Sequence, residues 1–304
     1  MILRKFSLLA GLLVSFSATS ASTQITADDF SIVETKVAEW GVPQNTLLVS
    51  DNDDTLTAMP CPDLSSPKTC QYLGGAAWFS WQEELIGTNE KHKVADSFGE
   101  LLEISALLFA MNKMNYTQKD VPNVLLGLQN MGVKTMVATA RGNENISATE
   151  QQFTALNVQK GESLLENFAA NAPQFLDEPL ESPYMNCTNT RAISYRNGVL
   201  YLAGQNKGEN LQCFIHRYNR DLPHSQRITH MVFIDDTLKN VEAVSKAFES
   251  SSIEVASVHY TALQKHKDAF VKGKMAKRFQ QKAAERWEQI RTVLNKQLLT
   301  PSVD

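Results

Sequence analysis

The amino-acid sequence predicts an α/β fold: a doubly wound, mostly parallel, Rossmann-like sheet with a helical cap inserted after its first strand. Three observations carry that expectation. Apolar runs of strand length at 47–49, 133–138, 231–234 and 253–258 alternate with longer stretches whose apolar residues recur at helical spacing. Parallel strands joined by right-handed helical crossovers satisfy such an alternation. The runs also end alike, in Asp51 and Asp53 after the first, Thr139 at the second, and Asp235 and Asp236 after the third. Polar groups at the carboxyl ends of buried strands converge on the crevice where a doubly wound sheet binds ligands. Lastly, residues 58–118 contain no legible buried strand and read as the insertion.

At the N-terminus, Arg4 and Lys5 precede an apolar run over 6–16 and small residues over 17–23. This is the order of a secretory signal peptide cleaved after Ser20 or Ala21, with a run too short for a comfortable membrane span. An uncleaved anchor is the alternative. The expectation is an exported protein, periplasmic or secreted, without a stable span after cleavage. The chain then divides into a signal peptide over 1–21, a core over 22–57 and 119–304, and a helical cap over 58–118. In an oxidising compartment Cys61, Cys70, Cys187 and Cys213 could form two disulfides, a local Cys61–Cys70 bridge leaving Cys187 with Cys213. The absence of CxxC argues against a zinc or thioredoxin-like motif, and a net charge of -4 offers nucleic acid no basic footprint.

Taken in order, Thr26 with Asp29 resembles a helix start before Phe30, Val33, Val37 and Trp40, and Gly41 and Pro43 stop that helix. In the insertion, 74–81 is rich in aromatics, and Leu101, Ile104, Leu107, Leu108 and Met111 line a second helical face. Trp78, Phe79 and Trp81 suit core packing, with a substrate pocket as the rival role. Helices are expected over 121–131, ended by Gly132, and over 147–157, followed by a Pro-containing loop over 171–189. Asn197 and Gly198 tolerate the positive backbone angles of a tight hairpin between 192–195 and 199–203. Lys207 opens a helix, another helix covers 240–250, and a basic tail over 265–299 reads as one long helix packing through Phe270, Phe279, Trp287 and Ile290.

The stretch LLVSDNDDTLT, 47–57, is the centre of the pattern. A calcium loop of EF-hand type starting at Asp51 needs Gly and Glu where Leu56 and Pro62 stand, so that chemistry is excluded. Two acidic strand ends brought together repel unless a cation lies between them, and magnesium (Mg2+), with its preference for hard oxygen ligands, fits best. A phosphoryl group held there could be attacked by Asp51 to give an aspartyl phosphate, with Thr139 and Lys207 holding its oxygens. Asp53 could protonate the leaving alcohol and then activate water. Arg141 could contact substrate or pair with an acid near the site.

DNDDTLT resembles the DxDxT signature of the haloacid dehalogenase (HAD) superfamily, and ATARG, the lysine of NKGEN, and FIDD follow in the order of its other motifs. The resemblance covers 47 to about 260, and GGAAWFSWQ with the hairpin before KGENL is similar to a bacterial branch, the DUF2608 group. It implies Asp51 as nucleophile and metal ligand, and Asp53 as general acid and base with its main-chain carbonyl on the metal. It also implies Thr139 and Lys207 as phosphate ligands, and Asp235 as metal ligand supported by Asp236, the adjacent acids leaving open which of them binds directly. An Asp at position 53 implies a phosphatase acting on a small-molecule phosphate ester. A secreted binding or effector protein with little turnover and a phosphotransferase are the alternatives.

Overall fold

The structure is a computed structural model and describes residues 22–63, 66–175 and 190–296. The signal-peptide region, Cys187 and most of the expected loop at 171–189 lie outside the described residues. Its centre is a seven-stranded sheet in the order β1-β11-β10-β2-β5-β9-β8, comprising β1 (Ser22–Ala27), β11 (Glu254–Tyr260), β10 (His230–Asp235), β2 (Thr46–Ser50), β5 (Lys134–Thr139), β9 (Val199–Tyr201) and β8 (Ser194–Arg196). All neighbours are parallel except β8 and β9, the expected hairpin, where Asn197 and Gly198 take φ of 50° and 77°.

Both faces are covered, as a doubly wound sheet requires. Leu48, Val232, Ile234 and Val258 point to α1 (Ile32–Trp40), α4 (Val121–Met131), α5 (Ile146–Thr154) and α6 (Leu164–Asn171). Leu47, Val49, Met136 and Phe233 point to α7 (Lys207–Arg220) and α8 (Leu238–Ala247) on the opposite face. Alternation within one fully buried strand thus splits the apolar core in two.

Three sequence expectations need correction. A strand, β1, precedes the acidic one, so the insertion follows the second strand of the chain, and the first helix begins at Ile32 rather than near Thr26. The segment STQITA has no apolar run to announce a strand; pairing with the free edge of β11 makes it one. The tail is two helices, α9 (Gln264–Val271) and α10 (Ala276–Leu294), broken at Gly273, where a Cβ would come within 2.9 Å of the Ala269 backbone. Neither α6 nor the small ribbon of β6 (Asn157–Gln159) and β7 (Glu162–Ser163) is anticipated by the pattern, although Ser163 and Glu166 form a capping box.

The insertion has a closed neck. β3 (Thr57–Ala58) pairs antiparallel with β4 (Asn115–Tyr116), and the Thr117 hydroxyl donates to the Thr55 carbonyl at 2.6 Å. Between them lie the Cys61–Cys70 disulfide, α2 (Ala76–Leu85) and α3 (Phe98–Met111). These helices share an apolar cluster with α9 and α10, in which Trp78 is fully buried and Trp81 sits edge-on to Phe270 with centroids 5.7 Å apart. Phe79 packs edge-on to Phe98. The tryptophans are therefore packing residues, and burial leaves them no face for a substrate. Among the described residues no helix is long and apolar enough to cross a membrane.

Candidate active site

β2 is flanked by β10 and β5, so the ends of three adjacent strands deliver Asp51, Asp235 and Thr139 to one rim of the sheet. The chain beyond β2 turns at once. Asp51 still follows the sheet, its N–H donating to the Ile234 carbonyl at 2.9 Å, and the N–H groups of Leu56 and Thr57 then fold back to the Asn52 carbonyl at 3.0 and 2.9 Å. Closing this loop requires a left-handed residue, and Asp54 supplies it at φ 60°. The buried Asn52 side chain accepts from the Thr57 hydroxyl at 2.9 Å. Thr55 ties both acidic ends together: its hydroxyl accepts the Asp236 N–H at 2.9 Å and faces Asp51 Oδ2 at 3.4 Å.

Lys207 opens α7, whose first turn is capped by the Asn206 side chain. Its buried ammonium bridges Asp51 Oδ1 at 2.5 Å and Asp235 Oδ2 at 2.7 Å. Gly208 permits this reach, because α7 lies so close to α8 that a Cβ there would be 2.3 Å from the Ala243 carbonyl oxygen. Gly208→Ala is expected to push the helices apart, costing about 1–3 kcal/mol in urea unfolding.

Both oxygens of Asp235 have further donors, the Thr237 N–H on Oδ1 at 2.8 Å and Asn240 Nδ2 on Oδ2 at 3.0 Å. Asp236 pairs with Lys267 of α9 at 2.5 Å. Asp53 takes a different direction, held by Arg141 Nε at 2.9 Å and Nη2 at 2.7 Å. Thr139 is fully buried, and its hydroxyl accepts the Arg141 N–H at 3.2 Å. Of the residues expected from sequence, Asp51, Lys207, Asp235 and Asp236 form one cluster. Asp53 with Arg141 forms a second beside it, to which Thr139 is joined through the Arg141 backbone. Arg141 thus pairs with an acid.

Lys267, Asn240 and Asp54 were not legible as site residues. Lys267 is one lysine in a basic tail, and only the packing of α9 against the insertion brings it to Asp236. Asn240 follows Asp235 by five residues in the first turn of α8, a spacing that could have drawn notice.

Four buried carboxylates, Asp51, Asp54, Asp235 and Asp236, meet two ammonium groups here, the buried Lys207 and the partly exposed Lys267. Burial lifts Asp51 to about 7 against the pull of Lys207, with Asp235 and Asp53 adding to the rise. Burial and then Asp236 lift Asp54 to about 8. Asp235 and Asp236 are also raised, first by burial. For Lys207 burial opposes the charge, but Asp235 and Asp51 outweigh it and hold the proton above the ordinary lysine range.

An uncompensated oxygen-rich cluster of this kind suits a hard divalent cation. Asp51, Asp235 and Asp236 can each offer a carboxylate oxygen within 4.8 Å of the others. Because Asp51 and Asp54 titrate at about 7 and 8, above their unfolded values, the folded protein holds the extra protons and loses stability as pH rises toward 8. In EDTA the melting temperature is therefore expected to fall between about pH 5 and 8, and added magnesium to raise it most at the upper end. Thermal unfolding at fixed ionic strength checks both.

Residues 26–300 match the family described as "Protein of unknown function (DUF2608)". Comparison with curated proteins finds no match. Among solved structures, the chain is similar to cytosolic 5'-nucleotidase IIIB bound to cytidine, at 13% identity and a TM-score of 0.33, covering 86% of this chain and 92% of that one.

Proposed function

We propose that this chain, which belongs to the DUF2608 family, is an exported, magnesium-dependent phosphatase that hydrolyses a small-molecule phosphomonoester through an aspartyl phosphate on Asp51. The observation that carries the reading is the Lys207 ammonium set between Asp51 and Asp235 at 2.5 and 2.7 Å, in an acid cluster with too few cations. Asp51, the main-chain carbonyl of Asp53, and Asp235 would hold the magnesium ion, with Asp236 in support. When bound, that ion would neutralise the carboxylates and the charge on the phosphoryl oxygens.

The protein's own groups account for the rest. An Asp51 oxygen forms a bond to phosphorus as the bond to the leaving oxygen breaks, and Asp53 gives that oxygen its proton. Asp53 then takes a proton from water, whose oxygen displaces Asp51 and releases inorganic phosphate. Lys207, charged throughout, stabilises the equatorial oxygens with the Thr139 hydroxyl. The inserted helices would serve as the cap over this rim. The Cys61–Cys70 disulfide, and the disulfide-bonded state of Cys213, support an oxidising compartment. An aryl phosphate should be hydrolysed with magnesium and left intact in EDTA, whereas equal rates in both would sink the reading.

A further inference from the structure

Arg141 is heavily committed within the protein. Its side chain is 2% exposed while that of its partner Asp53 is 19% exposed, so the guanidinium stands behind the carboxylate rather than in front of it. Besides its two bonds to Asp53, its Nη1 donates to Thr149 Oγ1 at 2.9 Å and to Gln152 Oε1 at 2.8 Å. Four of the five guanidinium donors are thus spent within the protein. A bidentate fork also fixes the plane of the carboxylate it grips, which a lysine could not do.

The far side of this network belongs to the insertion. Gln152 Nε2 donates to the Phe109 carbonyl at 2.7 Å and to the Asn112 carbonyl at 3.3 Å, both at the carboxyl end of α3. The Phe109 ring lies against the guanidinium, 3.9 Å from its carbon to the centroid. Asp53, Arg141, Gln152 and the end of α3 therefore form one continuous chain of contacts, and the amide of Gln152 is the joint between core and insertion. Both of its ends are used, with the oxygen on Arg141 and the nitrogen on α3.

We propose that Arg141 and Gln152 are positioning residues that set the orientation of the Asp53 carboxylate according to how the inserted helix α3 is seated. The inference rests on the phosphatase reading and adds regulation of its general acid. Movement of α3 shifts the two carbonyls and the ring on which the guanidinium depends. Asp53 is then aimed at the leaving oxygen only when the insertion is in place, and the proton is delivered to a covered substrate.

The test uses the full exported chain and a quantity that a merely structural role would not move. Protonation of the leaving group matters more for a basic alkoxide than for a nitrophenolate, and kcat/KM reports only steps up to the first irreversible one. The ratio of kcat/KM for glycerol phosphate to that for p-nitrophenyl phosphate, with magnesium, therefore falls when the acid is lost, and Asp53→Asn sets the size of that fall. Gln152→Met should lower this ratio about tenfold, less than the range of 10²–10⁴ attached to an entire general acid. Asp53→Asn should lower it further. Gln152→Glu keeps an acceptor for Arg141 but loses the donor to α3, and should lower the ratio as well; it carries the test if the Met variant does not fold. An unchanged ratio in the folded variants, with both substrates slowed equally or not at all, would overturn the relay and leave the phosphatase reading standing. If the wild-type chain hydrolyses neither substrate, the phosphatase reading fails and the relay with it.

Discussion

Asp51→Asn is expected to reduce hydrolysis of an aryl phosphate by at least about 10⁴-fold with magnesium present, since the proposed aspartyl phosphate forms on Asp51. The same substitution should not unfold the protein. Burial lifts Asp51 to about 7, so at pH 8 in EDTA its ionised form is a net burden on the fold, and an amide removes that burden. Lys207 keeps its bond to Asp235 at 2.7 Å. The melting temperature of Asp51→Asn in EDTA should accordingly equal or exceed that of the wild type at pH 8 and decline less steeply between pH 5 and 8. Full turnover in this variant would remove Asp51 as nucleophile.

Lys207→Met should do the opposite to stability. It retains the apolar stem but leaves the buried Asp51 and Asp235 facing one another without the ammonium between them. Breaking a buried pair on one side costs about 3–5 kcal/mol, and losing a charge that serves the transferring phosphoryl group costs about 10²–10³ in kcat. The sign of the pH effect follows from the two acids. Protonated carboxylates need no partner, so the loss should be small at pH 5 and large at pH 8, as denaturant unfolding at the two values would show. Magnesium should restore part of the stability at pH 8 but not the activity. A pH-independent loss would mean that Lys207 contributes by packing alone.

The two predictions depend on different kinds of information. That Asp51 and Asp235 end buried strands was legible, because a strand covered on both faces is an uninterrupted apolar run and its polar terminus stands out. The helix opening at Lys207 was legible from the apolar period that follows it, and the hairpin from Asn197 and Gly198. Strand β1 was not, since its six residues carry no run and owe their conformation to β11. The break at Gly273 in the tail was hidden for a similar reason: a glycine in a helical pattern reads as tolerated until its packing is known.

By itself, then, the sequence determined the alternating architecture, the order of the four motif segments and the donor types each carries, because periodicity and strand termini are local properties of the chain. Tertiary structure alone decided how those donors are shared. It turned Asp53 toward Arg141, placed Lys207 between Asp51 and Asp235, and brought Lys267 to Asp236 from a helix that packs with the insertion. For Trp78 and Trp81 it decided between the two roles the sequence left open, in favour of packing. Ion pairs are set by distances across the fold between residues far apart in the chain, and no local pattern encodes them.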